Sequence, residues 1–250
     1  METVFDSLPQ FLIACLVLAC AEAIYVLLGF GAGLIAVGTL ALVMPEIRDV
    51  VVMLLLVNLP AELWVVWESR REIAWRQVLT LFVGIAVGIP AGTWALDAGD
   101  PSILLPVLGV FLVVVGSAFL AGRERRSRQL PAWTAPPVGL VSGILTGLFG
   151  TGGPPLIFYY QLSGVEKRVF RGNLMAIFML MTLVRVPSYA AFDLITWPRI
   201  WSSAAVFPAV LLGAVIGYHV HLSLDESTFR RLVSIALVII GAVLLLRSFT

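Results

Sequence analysis

Gly150-Thr151-Gly152-Gly153-Pro154-Pro155 is the stretch of this chain best equipped to do chemistry. It interrupts an apolar run, and backbone freed at membrane depth survives only if buried in protein or lining a wet cavity. The glycines permit positive φ and close backbone approach. Pro154 and Pro155 lack an N–H and suit the first turn of a helix. The spacing therefore predicts a helix, a break, and a fresh helix beginning near Pro154. Its N-terminus would offer free amide donors and a partial positive charge, a seat for an anion. Gly150, Thr151, Gly152, Gly153 and Pro154 are candidate substrate contacts. The competing reading is that these glycines only let helices pack closely.

Arg185 points the same way. It lies within the apolar run Leu174–Phe192, where an arginine is costly and is by default a functional candidate. Its guanidinium can hold a sulfonate or carboxylate by two parallel hydrogen bonds. A structural ion pair with Glu22 or Glu62, or snorkelling to the interface, would also account for it. Glu22, late in the first apolar helix, and Glu62, after an expected break at Asn58-Leu59-Pro60, are candidates to carry a coupling proton. Trp64 and Trp67 beside Glu62 suggest an interfacial setting. Asn58 and Tyr159 are candidate cavity residues, with capping or interhelical bonding as the alternative for Asn58. No metal or cofactor is expected. Cys15 and Cys20 are five apart and so on different helix faces, and no GxxxxGK[ST] occurs, so a gradient must supply the energy.

The elements that must position these groups follow from composition. The 250 residues are 60% hydrophobic and 12% charged, with a formal net charge of +1, against about 25% charged residues in soluble domains. No basic cluster argues for nucleic acid. Ile103–Leu120 and Leu232–Leu246 carry no charge and approach the ~20 residues of a bilayer span. The N-terminal METVFDSLPQ has no basic residue, unlike a cleaved signal peptide. This reads as an all-α, multi-pass membrane protein. Apolar segments run near 8–44, 50–67, 77–96, 103–121, 136–162, 174–192, 200–218 and 231–248. The seven tryptophans fall near segment ends, as an interfacial belt requires.

Segments 8–44 and 136–162 do not fit a single span. The first would extend about 55 Å as one helix, well beyond a ~30 Å hydrocarbon core. If both are hairpins, twelve lysines and arginines fall on inner loops and three, Arg48, Arg199 and Arg247, outside. If both cross once, the division is nine to six. The positive-inside rule favours the hairpins, and each half then makes an odd number of full crossings, which inverts one half relative to the other.

The halves also match weakly in order. Gly31 and Gly33 align with Gly150 and Gly152, Gly92 with Gly217, and Gly116 with Gly241. The expected organisation is two inverted-topology repeats, 1–122 and 132–250, joined by an Arg-rich cytoplasmic linker, 123–131. Each repeat is a broken or re-entrant hairpin plus three transmembrane helices, about eight to ten helical segments in all. Paired, interrupted helices of inverted repeats often meet at a transporter's binding site.

The first-half stretch GFGAGLIAVGTLALVMP recurs as GILTGLFGTGGPPLIFYYQLSG, followed by the basic KRVFRGNL and an apolar helix. This arrangement resembles the sulfite exporter (TauE/SafE) family, also called toluene sulfonate uptake permeases, over nearly the whole chain. The resemblance implies secondary transport of sulfur-containing anions such as sulfite, sulfoacetate or other organosulfonates across a prokaryotic inner membrane. It places Gly31, Gly33, Gly150, Gly152, Gly153 and Pro154 in the motif. Ala32 and Leu34 dilute the first copy, and no proline closely follows it.

The leading expectation is thus an anion permease working by alternating access, with substrate between the two broken helices and Arg185 as charge partner. Its partners would be a small anion, the lipid bilayer, a coupling proton or sodium ion, and a second copy of the chain in a homodimer. A non-transporting membrane scaffold is the alternative. An intramembrane enzyme fits worse, because Ser142-Gly143 lacks a glycine two positions before the serine and His219 falls at a helix end.

Overall fold

The computed structural model describes residues 3–28, 32–44, 46–69, 73–121, 130–219 and 226–248. Among them no strand occurs, and the order is α1 (Leu8–Leu28), α2 (Ala32–Ala41), α3 (Ile47–Ser69), α4 (Trp75–Ala98), α5 (Pro101–Ala121), α6 (Ala135–Phe149), α7 (Gly153–Ser163), α8 (Lys167–Ala191), α9 (Trp197–His219) and α10 (Glu226–Ser248). Seven of the described helices are long and apolar enough to cross a membrane. Trp75, Trp94, Trp133, Trp197 and Trp201 are exposed near helix ends. Amphipathic indoles belong at those depths.

Both segments that were too long for one span are broken pairs, α1–α2 and α6–α7. Two other expectations need correction. Pro60 does not break the chain, because α3 continues through it to Ser69. One missing N–H is tolerated in a membrane helix when neighbouring groups satisfy the freed carbonyl. Nor does the basic KRVFRGNL precede the next apolar helix as a separate stretch, since α8 already begins at Lys167. Long basic side chains on a first turn can extend toward headgroups while the backbone stays helical.

The helices form two compact units, one of Met1–Val57, Gly99–Arg123 and Thr196–Thr250, the other of Asn58–Ala98 and Glu124–Ile195. Each draws helices from both halves of the chain. In the first unit, α1 and α9 run parallel, since a methyl on Gly213 or Gly217 would strike the carbonyl oxygen of Ala19 or Ala23 respectively. Gln10 near the start of α1 donates to Val43 O, just past α2, at 3.3 Å, so α2 doubles back along α1. Gly109 faces Gly241 and Gly116 faces Ser234, making α5 and α10 antiparallel. Arg199 and Asp49 pair at 2.7 Å, joining the starts of α9 and α3. Arg48 donates to Gly99 O at 2.8 Å, bringing the start of α5 to the same end.

In the second unit, Gly84, Gly88 and Gly92 of α4 interleave with Gly139, Gly143 and Gly147 of α6. A methyl on any of the six would collide with backbone across the seam. Carbonyl oxygens facing glycine α-carbons at such range are the geometry of Cα–H···O contacts, worth roughly 0.5–1 kcal/mol each. The register advances in step along both helices, so α4 and α6 are parallel. Helix α8 shares their direction. Near its start, the fully buried Asn173 accepts from Ala74 N–H at 2.8 Å and donates to Gln77 at 3.0 Å, both at the start of α4. Near its end, Tyr189 reaches Gly147 O of α6. With α6 and α8 pointing the same way, α7 must return between them, and 136–162 is a hairpin.

Candidate functional site

The α6–α7 break is built from the inside of α6 outward. Helix α6 stops because Gly150 turns left-handed, at φ 72° and ψ 14°, a conformation that side-chain-bearing residues adopt only at a cost. Its N–H donates to Thr146 O at 2.8 Å, and Thr151 N–H reaches Leu145 O at 3.5 Å. Gly152 caps α7, which starts at Gly153 with Pro154 and Pro155 in its first turn.

Here the donor count differs from the sequence expectation. The prolines bring no N–H, so this helix start offers the amides of Gly152 and Gly153 rather than a full set of orphan donors. Among the described residues neither amide has a hydrogen-bond partner.

Gly152 is required by space. A Cβ there would collide with Ser142 O and Thr146 Oγ1. Ser142 donates its hydroxyl to Gly152 O, and Thr146 donates to Ser142 O at 2.8 Å. Both hydroxyls are buried; that of Ser142 ties the turn to α6, while that of Thr146 stays bonded within α6 and packs against Gly152. Gly153 is looser, with only the Phe178 ring near the place of its Cβ, at 3.5 Å.

Arg185 arrives at this turn from α8. It is 6% exposed, and its Nη1 and Nη2 lie 3.0 and 2.6 Å from where a Cβ on Gly150 would stand. The guanidinium therefore rests on the bare α-carbon of Gly150. Its Cζ is also 4.7 Å from the centroid of the Tyr189 ring, in range for a cation–π contact. Thr151 is 6% exposed, and its Oγ1 is buried without a hydrogen-bond partner among the described residues. One cation, one unspent hydroxyl and two amides thus meet at a single turn. All four groups favour negative charge.

The structure brings Gly150, Thr151, Gly152, Gly153, Pro154 and Arg185 to one turn. Within α8, Arg185 lies six residues before the end, about 9 Å along the axis. Tyr159 sits farther along α7, edge-on to Tyr160 at 5.6 Å. Asn58 is half-buried on α3, and Glu22 is buried on α1. Gly33 lies inside α2, Gly31 falls outside the described residues, and of Glu62 only its place in α3 is described.

The sequence reading missed Ser142, Thr146 and Tyr189. Their signals were present: Ser142 and Thr146 are four apart on α6, and Tyr189 follows Arg185 by four. Helical neighbours at that spacing share a face.

The chain is 24% identical over 193 residues to the probable inner membrane transporter protein TsaS of Comamonas testosteroni, covering 76% of this chain and 80% of that one. It is 25% identical over 226 residues to the probable sulfite/organosulfonate exporter TauE of Cupriavidus necator, covering 89% and 88%. No solved structure matches. The family model for sulfite exporter TauE/SafE matches residues 13–244, nearly the full chain, and the protein belongs to that family.

Proposed function

We propose that this protein is a secondary transporter of small sulfur-containing anions, such as sulfite, sulfoacetate or other organosulfonates, and that the α6–α7 break is its anion seat. The observation that carries the reading is the guanidinium of Arg185 lying on Gly150 beside the unpartnered hydroxyl of buried Thr151. A sulfonate or sulfite oxygen would accept from the guanidinium. A second oxygen would take the Thr151 hydroxyl and the Gly152 and Gly153 amides, which have no acceptor among the described residues. The relatives named as a sulfite/organosulfonate exporter and an inner membrane transporter fit this ligand class.

Alternating access by inverted repeats is the proposed mechanism. Its support is a shared register. The Gly88–Leu140 and Gly92–Ile144 contacts of α4 with α6 correspond to Gly213–Ala19 and Gly217–Ala23 of α9 with α1. The shift is constant along each helix. Glu22, a buried carboxyl with no ion pair among the described residues, is the proposed proton carrier for coupling.

A second reading has one observation in its favour. The guanidinium lies at the carbonyl end of α6, where a cation complements the helix dipole, so Arg185 could serve only to end that helix. Sulfite and methanesulfonate binding to the purified protein in detergent, with flux into proteoliposomes, separates the readings. We expect Arg185→Ala to remain folded and lose binding of both anions. A variant that unfolds outright, or binds normally, would return Arg185 to a structural role. A wild-type protein that moves neither anion would favour a scaffold.

A further inference from the structure

We propose that Tyr189 is a positioning residue that sets the Arg185 guanidinium for anion binding. The inference rests on the α6–α7 break being the anion seat. It starts from a consequence of the break. In an uninterrupted helix the carbonyl of Gly147 would accept from the N–H of residue 151. Because Gly150 turns left-handed, Thr151 N–H goes to Leu145 O, and Gly147 O is left without its helical donor. The Tyr189 hydroxyl supplies one at 2.8 Å.

That hydrogen bond places the ring. Tyr189 is fully buried, and its hydroxyl ties α8 to the last turn of α6. The ring then lies 4.7 Å from Cζ of Arg185, one helical turn earlier on α8. The guanidinium is held between this aromatic ring and the α-carbon of Gly150. Arginine has many rotamers, and fixing them before the ligand arrives lowers the entropy cost of binding. Tyr189 donates its only hydroxyl proton to Gly147 O and so is not itself offered to substrate.

The test is a double-mutant cycle in purified protein, reading the Kd for sulfite and for methanesulfonate. Tyr189→Phe keeps the ring and its volume but loses the tether. It is expected to weaken both anions by about threefold to tenfold, the range of one hydrogen bond, while saturated flux in proteoliposomes is retained. Tyr189→Leu, which also loses the ring, should weaken them further.

The deciding arm is Arg185→Gln. In that background Tyr189→Phe should change neither Kd, because groups acting through one another are not additive. A loss of equal size with and without Arg185, or no loss in either, overturns the positioning role while leaving the anion seat intact. Wild-type affinity in Arg185→Gln alone overturns the seat, and with it any arginine for Tyr189 to position.

Discussion

The α4–α6 seam and the α1–α9 seam use one packing register but finish it differently. In α4–α6 both helices are glycine-striped, with Gly84, Gly88 and Gly92 against Gly139, Gly143 and Gly147. In α1–α9 only α9 keeps its glycines, Gly213 and Gly217, and α1 answers with Ala19 and Ala23. By the same register the places of Gly139, Gly143 and Gly147 are held in α1 by Leu18, Glu22 and Val26. One seam has no room for a side chain at its centre, and the other carries the buried Glu22 at the matching sequence position. The close seam includes the stretch of α6 from which the Ser142 hydroxyl reaches the α6–α7 turn. The proposed anion seat and the proposed proton carrier thus belong to different seams.

The largest test of this difference exchanges the central residue. Gly143→Glu would drive a side chain into Ile85 O and Gly88, and neither backbone can yield. We expect no folded protein by size-exclusion chromatography in detergent. A monodisperse, stable Gly143→Glu would show that the seams are equivalent.

Next comes the turn itself. Gly150→Ala faces both the left-handed backbone, costing roughly 1–2 kcal/mol, and the guanidinium packed on its α-carbon. A lowered thermal midpoint together with weaker sulfite binding is the expected outcome. Loss of stability without loss of affinity would detach Arg185 from the anion.

On the looser seam, Glu22→Gln should leave the thermal midpoint unchanged or raised, because an unpaired buried carboxylate contributes no stability. It should abolish sulfite movement driven by a pH gradient while sulfite–sulfite exchange persists. Gradient-driven flux in Glu22→Gln would remove Glu22 from coupling.

The smallest effect belongs to Gly153→Ala. Only Phe178 is nearby, and the position is helical, so alanine is expected to be neutral or to stabilise by about 0.4–1 kcal/mol. The amide is kept, and sulfite affinity should be unchanged. A marked loss of affinity would mean that the anion lies closer to this Cα than the turn suggests.

Much of the fold was legible because membrane spans write themselves in composition. Charge-free runs and flanking tryptophans marked α5, α9 and α10 to within a few residues, and glycine with proline marked the α6–α7 break. Pro60 misled the reading, because its consequence depends on neighbours that no local signal names. Gly33 lies within α2 rather than at its start, a placement that glycine spacing alone could not specify.

By itself the amino-acid order determined that the chain lives in a bilayer, where it crosses, where it breaks, and that a lone arginine lies near such a break. Those properties depend on local hydrophobicity and backbone freedom, which act over one or two helical turns. Only the tertiary structure decided that Arg185 rests on Gly150 and that Tyr189 fills the carbonyl left open by the break. Those facts depend on the register between helices far apart in the chain, fixed by which backbones can touch.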